Sequence, residues 1–149
     1  MVVAPAAQVQ GPLGVAQLAA LPLLLPMHPN SVRVATEHLF AAQRHSFKLV
    51  AETSAVEILI PAVENGLGST TLPSSAFSLA QQQGRVQGIP IEGRPLIREL
   101  SLSLSRSAMH SPAVQCVQDT LVKVIGDEVL QGRWQGVRLL EEIKLPASP

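Results

Sequence analysis

Residues 47–66 read FKLVAETSAVEILIPAVENG, and a change of period inside them decides the fold class. Phe47 to Ala51 is an apolar run of strand length, whereas Val56, Leu59, Ile60 and Val63 recur at i, i+3, i+4 and i+7, the spacing of one helix face. Between the two, Ser54 and Glu57 form the S-x-x-E pattern of a capping box, in which the serine hydroxyl accepts from an early helix N–H and the glutamate reaches back. Asn65-Gly66 predicts a left-handed stop, since glycine takes positive φ without a Cβ clash. Pro61 is discordant. Inside a helix it loses a hydrogen bond and crowds the carbonyl of Glu57, at a cost of about 3 kcal/mol, so a kink is expected there.

The same plan extends in both directions. Upstream, Leu21 to Pro26 (LPLLLP) is a short apolar run closed by Pro26-Met27-His28-Pro29-Asn30, as expected for a buried parallel strand entering a loop. A helix follows from Ser31 to Arg44, capped by Asn30 or Ser31; Val32, Ala35, Leu39 and Phe40 form its apolar face, and Arg33, Glu37 and Arg44 its solvated one. Downstream, Leu67 to Leu72 reads as a third strand, and SSAFSLAQQQ as a short helix stopped by Gly84. Three strand-helix units in succession predict a parallel sheet. Right-handed crossovers then bring every loop that follows a strand to one edge, where α/β proteins hold ligands.

The remaining chain is less regular. Arg85 to Ile91 reads as an extended connector. Leu100 to Leu104 alternates leucine with serine, like a strand with one wet face, and Ser111-Pro112 opens a helix with Val114, Val117, Leu121, Val124 and Ile125 on one face, ending near Gly126. From Asp127 onward no clean period survives.

Composition narrows the function classes. Lys plus Arg equals Asp plus Glu at 11 each, which leaves no net field to hold nucleic acid. The single cysteine, Cys116, excludes an internal disulfide framework or cysteine-paired zinc knuckle, and reads as a packed thiol of a reducing compartment. The apolar N-terminal stretch lacks a Lys or Arg before Arg33 and is broken by Gln8, Gln10, Gln17 and prolines, so it reads as neither signal peptide nor membrane span; a cytoplasmic location is expected. His38 and His45 lie seven apart with no acidic partner, which does not suit a shared metal, and Gly66–Thr71 lacks the lysine of a phosphate loop. No Ser-His-Asp or paired-carboxylate constellation can be assembled. No enzyme activity and no cofactor are therefore expected.

Taken in order, LAALPLLLPMHPNSVR, FKLVAETSAVEILIPAVENGLGSTTLPSSAF and GRVQGIPIEGRPLIRELSLSLSRSAMHSPA resemble the effector-binding domain of LysR-type transcription regulators. The most specific piece is Glu64-Asn65-Gly66-Leu67-Gly68 followed by Leu72-Pro73, and the likeness covers Met1 to Gly126. The resemblance implies a type II periplasmic-binding-protein-like architecture, with a small effector held between two α/β subdomains and a winged-helix DNA reader elsewhere in the full-length regulator. On that reading residues 1–17 are a hinge strand and linker from an incomplete first subdomain. Residues 18–91 are the second subdomain, 92–126 its partner's returning strand and helix, and 127–149 a tail. The leucine ladder and the Val114/Val117/Leu121 face should then be solvent-exposed, favouring association.

Candidate ligand contacts are the loop residues Pro26, Met27 and His28, then Thr53 and Ser54, then Thr71, Leu72 and Pro73. Thr53 is favoured because it matches the hydroxyl with which the family contacts its effector. Unpaired N–H groups near Thr53 and Ser54 would suit a carboxylate or similar anion, although Ser54 could equally be only an N-cap. The resemblance also implies side-by-side dimers through the Ser31–Arg44 helix, with Arg33, Glu37, Phe40 and Arg44 in the interface. Two other readings share the fold: a transporter's solute-binding protein, which the absence of a signal peptide disfavours, and an interaction remnant that pairs with full-length regulators.

Overall fold

The computed structural model describes residues 1–6, 11–93, 96–107, 109 and 111–140, in two compact units that divide between Glu99 and Leu100. Unit 1 runs β1 (Val2–Pro5), α1 (Val15–Ala20), β2 (Pro22–Pro26), α2 (Ser31–Ala42), β3 (Lys48–Thr53), a 3₁₀ turn (Val56–Ile58), α3 (Leu59–Glu64), β4 (Thr70–Thr71), α4 (Ser74–Gln82) and β5 (Val86–Ile89). Unit 2 contains α5 (Pro112–Leu130). The architecture is mixed α/β, as the sequence predicts.

The strands of unit 1 lie in the order β3-β2-β4-β1-β5. β2 and β3 pair in parallel, and Ser69, just ahead of β4, bridges to Leu23 in parallel, with Leu24 N donating to Ser69 O and Ser69 N to Pro22 O, both at 2.8 Å. β1 is antiparallel to both β4 and β5, facing Thr71 and Ile89 from Val2. Arg85 to Ile91, expected as a connector, therefore contains a fourth parallel strand, β5. A single sequence has no way to announce that VQGI has a partner as distant as Val2–Pro5.

Alternation along the strands separates two apolar layers. Val2, Ala4, Leu23, Leu25 and Ile89 face a cluster with Val15 and Leu18 of α1 and Phe40 of α2; Val3, Leu24 and Val86 face another with Leu59, Val63, Phe77 and Ala80 from α3 and α4. Helices thus cover both faces, which is why β2 reads as an uninterrupted leucine run. β1 sits in the middle of the sheet with Val2, Val3 and Ala4 fully buried. α4 lies very close to β5 at Gly88, where a Cβ would stand 2.4 Å from the Phe77 ring; the bare backbone lets Gly88 N donate to Gln81 Oε1 at 3.1 Å.

Local signals fared unevenly. Asn30 Oδ1 accepts from Val32 N at 2.9 Å, the expected cap of α2. Gly66, at φ 73°, ends α3 with Gly66 N donating to Val63 O and Leu67 N to Ala62 O, the two bonds of a Schellman motif; Gly84 closes α4 the same way. The Ser54–Glu57 capping box does not form. The chain enters a 3₁₀ turn whose cap is Ala55, and the local hydroxyl bond comes from Thr53, whose Oγ1 accepts from Ala55 N at 3.1 Å. Pro61 consequently falls in the first turn of α3, where the N–H it lacks needs no intrahelical acceptor; the helix type changes ahead of it, between Ile58 and Leu59, so no kink inside a longer helix is required.

In unit 2, residues 100–105 carry no regular structure and are exposed, so the expected leucine-serine strand is not present; among the described residues of this unit there is no strand to pair with it. α5 begins at Pro112 as predicted but passes through Gly126, an interior glycine that costs about 1 kcal/mol without terminating a helix. It stops at Gln131, where Gly132 adopts φ 69° and the Arg133 guanidinium bonds the Glu128 carboxylate at 2.6 Å. The pairing lowers the Glu128 pKa and raises that of Arg133. The apolar side of α5 is exposed, as expected: Val117, Leu121 and Val124, with Leu102 and Leu104 beside the helix around an open recess of about 240 Å³. Residues 141–149 of the tail lie outside the described residues.

Candidate functional site

Because β2, β3 and β4 run parallel, their C-terminal ends and the segments that follow meet at one edge of unit 1, and antiparallel β1 starts there. Met27 N donates to Thr53 O at 2.9 Å, joining the first two segments, and Leu72 N donates to Met1 O at 3.1 Å, joining the third to the start of β1. Burial pushes the Met1 amino pKa down, and this group donates to Leu72 O at 3.2 Å.

The predicted contact residues separate by accessibility. Met27, His28 and Ser54 are exposed, Thr53 and Pro73 half-buried, and Pro26, Thr71 and Leu72 buried. Thr53 Oγ1 is engaged by Ala55 N. Thr71 Oγ1 lies 2.7 Å from Thr36 Oγ1, which itself donates to Val32 O at 2.8 Å. Since the Thr36 proton is used on Val32, Thr71 donates to Thr36 and keeps only acceptor capacity. Ser54 cannot present a helix N-terminus to an anion, for the helix does not begin there.

α2 meets the sheet through Arg33, Thr36 and Phe40, all buried. Placing Arg33 on the solvated face is therefore a correction: Nε donates to Glu37 Oε1 at 2.6 Å and Nη1 to Glu52 Oε2 at 3.2 Å, while the guanidinium lies 5.8 Å from the Phe47 ring centroid. The pairing makes burial tolerable, since an unpaired buried charge costs several kcal/mol or more. His28 Nε2 meets the same carboxylate, 3.1 Å from Glu37 Oε2. Phe40 is in the core, stacked on Phe47 at 4.8 Å between centroids, so of the four helix residues assigned to a dimer surface only Glu37 and Arg44 are reachable from outside.

Sequence reading missed the segment that closes this edge. Leu96, Ile97 and Arg98 lie beside the end of β4 and the first turns of α2 and border a small, partly open cavity whose other walls include Val32, Ala35, Leu72 and Pro73. Arg98 Nη1 donates to Ser31 Oγ at 3.0 Å. Within PLIREL nothing periodic marks Arg98. Thr36 was in principle legible, as the polar residue between Val32 and Phe40 on a face that must otherwise be apolar. Among the described residues no cluster of His, Cys, Asp or Glu could hold a metal, and no helix is long and apolar enough to cross a membrane.

Unit 1 thus brings hydroxyls and a small cavity to the edge of a parallel sheet, the place where α/β folds present the loops that contact ligands. Residues 1–126 match the family model described as the LysR substrate binding domain, and the chain belongs to that family of transcription-regulator domains. It is also similar to the HTH-type transcriptional regulator BbuR of Bordetella bronchiseptica, at 25% identity over 125 residues. That alignment covers 84% of this chain and 38% of the relative, so the chain spans well under half of the protein it resembles.

Proposed function

We propose that this chain is the sensing part of a LysR-type transcription regulator, which binds a small effector at the C-terminal edge of its parallel strands and converts nothing. The observation that carries this reading is convergence: the segments after β2, β3 and β4 and the start of β1 meet at one edge, where Met1, the end of β4, the first turns of α2 and Leu96–Arg98 line a small cavity that Met27, His28, Thr53 and Ser54 do not reach. The finer architecture follows. Residues 18–91 with β1 form the second subdomain of a type II binding-protein fold, and β1 is the hinge strand, which explains why it alone runs antiparallel in the sheet. Residues 92–126 belong to the first subdomain, with α5 as its helix. The apolar side of α5 supports that assignment, because a face of Val117, Leu121 and Val124 is built to be covered.

Effector contacts are assigned to Pro26, Met27, His28, Thr53, Ser54, Thr71, Leu72 and Pro73, with the exposed members touching the ligand and the buried ones shaping the floor. The effector is a carboxylate or related anion. Homo-oligomers form through the outer side of α2, where Val34, Glu37, His38 and Arg44 are accessible or partly so, beside the exposed edge strand β3 with Leu49 and Val50. DNA is reached through another domain of the regulator, in the cytoplasm.

A thermal-shift screen of metabolites against the 149-residue chain tests the reading. A hit should raise the midpoint in proportion to log concentration, and Thr53→Val with Ser54→Ala should lower its affinity by roughly tenfold. If no small molecule stabilises the chain while it binds a second protein chain tightly, the interaction reading replaces this one.

A further inference from the structure

We infer that Arg98 and Ser31 form an anion clamp at the mouth of the edge cavity, selective for the carboxylate end of a small organic acid. The inference rests on the effector-binding reading and adds two residues to it.

The charge balance around the cavity supports it. Arg98 is the charged side chain among the residues that line the cavity. Among the described residues it has no carboxylate partner, as is also true of Arg44, Arg106 and Arg138; the bond its side chain makes is to Ser31 Oγ. A guanidinium presents five N–H donors in a plane that matches two carboxylate oxygens, so one bond to a hydroxyl leaves most of its capacity unused. Ser31 Oγ accepts from Arg98 and keeps its own proton. Both groups can therefore donate to the same anion without breaking the bond between them.

The surroundings fix the rest of the ligand. Val32, Ala35, Leu72, Pro73, Leu96 and Ile97 supply carbon walls, so the part of the ligand beside its carboxylate is apolar. Thr71 does not assist as a donor, since its proton is committed to Thr36. The Met1 amino group, a competing cation nearby, is directed at Leu72 O.

The test is a titration of the isotope-labelled chain with acetate and with acetamide, of equal shape but different charge, followed by amide and guanidinium NMR shifts. Acetate should move Ser31, Val32, Leu72 and Arg98 and bind at least tenfold more tightly than acetamide. Arg98→Ala, at an exposed position that leaves folding intact, should remove that preference, Arg98→Lys should restore part of it, and Ser31→Ala should weaken acetate several-fold. Adding one residue ahead of Met1, which turns its ammonium into an amide, should leave binding unchanged. Equal binding of acetate and acetamide, or full acetate affinity in Arg98→Ala, overturns the clamp. A parallel mixture of neutral and cationic metabolites separates the two readings. Shifts at Met27, His28, Thr53 or Ser54 with an unresponsive Arg98 end the clamp and leave effector binding standing, whereas silence from every compound ends both.

Discussion

The hydroxyls of Thr36 and Thr71 lie 2.7 Å apart in the interior of unit 1, tying the middle of α2 to the end of β4 directly beneath the edge cavity. Thr71→Val keeps the shape and removes the donor, while Thr36 retains its bond to Val32 O. The loss should be about 1 kcal/mol in urea unfolding, and Thr71→Ser should recover most of it. Equal stabilities for Thr71→Val and the parent chain would show that the pair contributes nothing.

Its neighbour in sequence should respond in the opposite sense. Thr70 Oγ1 is buried and has no hydrogen-bond partner among the described residues, so its desolvation is uncompensated. Thr70→Val should raise the urea midpoint, by an amount corresponding to about 1 kcal/mol. A decrease would mean that the hydroxyl has a partner in solution.

Gly88→Ala tests the close approach of α4 to β5. The added methyl would overlap the Phe77 ring, at 2.4 Å, and displace Gln81 Oε1 from the Gly88 amide. Overpacking of this kind costs about 1–3 kcal/mol. Combining it with Phe77→Leu, which vacates the space, should cost less than the sum of the two single changes.

The Arg33 hydrogen bond, with a smaller contribution from His28, holds the Glu37 carboxyl below the ordinary glutamate range. A depressed folded-state pKa means that the carboxylate's stabilisation is complete above the unfolded-state value and disappears as pH falls through the folded-state value. Stability should therefore drop on acidification through that range, and the gap between the parent chain and Glu37→Gln should narrow with it. With the Glu37 side chain 32% exposed, the gap at neutral pH should be about 1 kcal/mol or less. A gap independent of pH would assign the effect to packing.

What the sequence disclosed follows from the range of each interaction. The Asn30 cap and the Gly66 and Gly84 stops are decided within a few residues, and they were readable. So was the leucine run of β2, because burial on both faces leaves no alternation to misread. Ser54 and Glu57 had the right spacing for a capping box and lost to Thr53, one residue away, a competition no pattern resolves. Arg33 was assigned to water on its charge alone; its burial depends on Glu52, which reaches it only because β3 pairs with β2. The edge itself was legible from the strand-helix order. Arg98 was not, since its role depends on where an irregular segment lies.

The position of β1 has a kinetic meaning. Its four residues fill the slot between β4 and β5, and Val2 finds its partners at Thr71 and Ile89, about 70 and 90 residues further along the chain. Neither neighbour can pair across that slot without it. The sheet cannot grow outward from its N-terminal end as the chain emerges; it waits, open in the middle, until Ile89 has been made. Long-range pairings of this kind make folding slow for a domain of this size. During that wait the edges of β4 and β5 are unpaired, and a nascent chain that folds too early around β2 and β3 holds a half-sheet ready to accept a strand from another molecule.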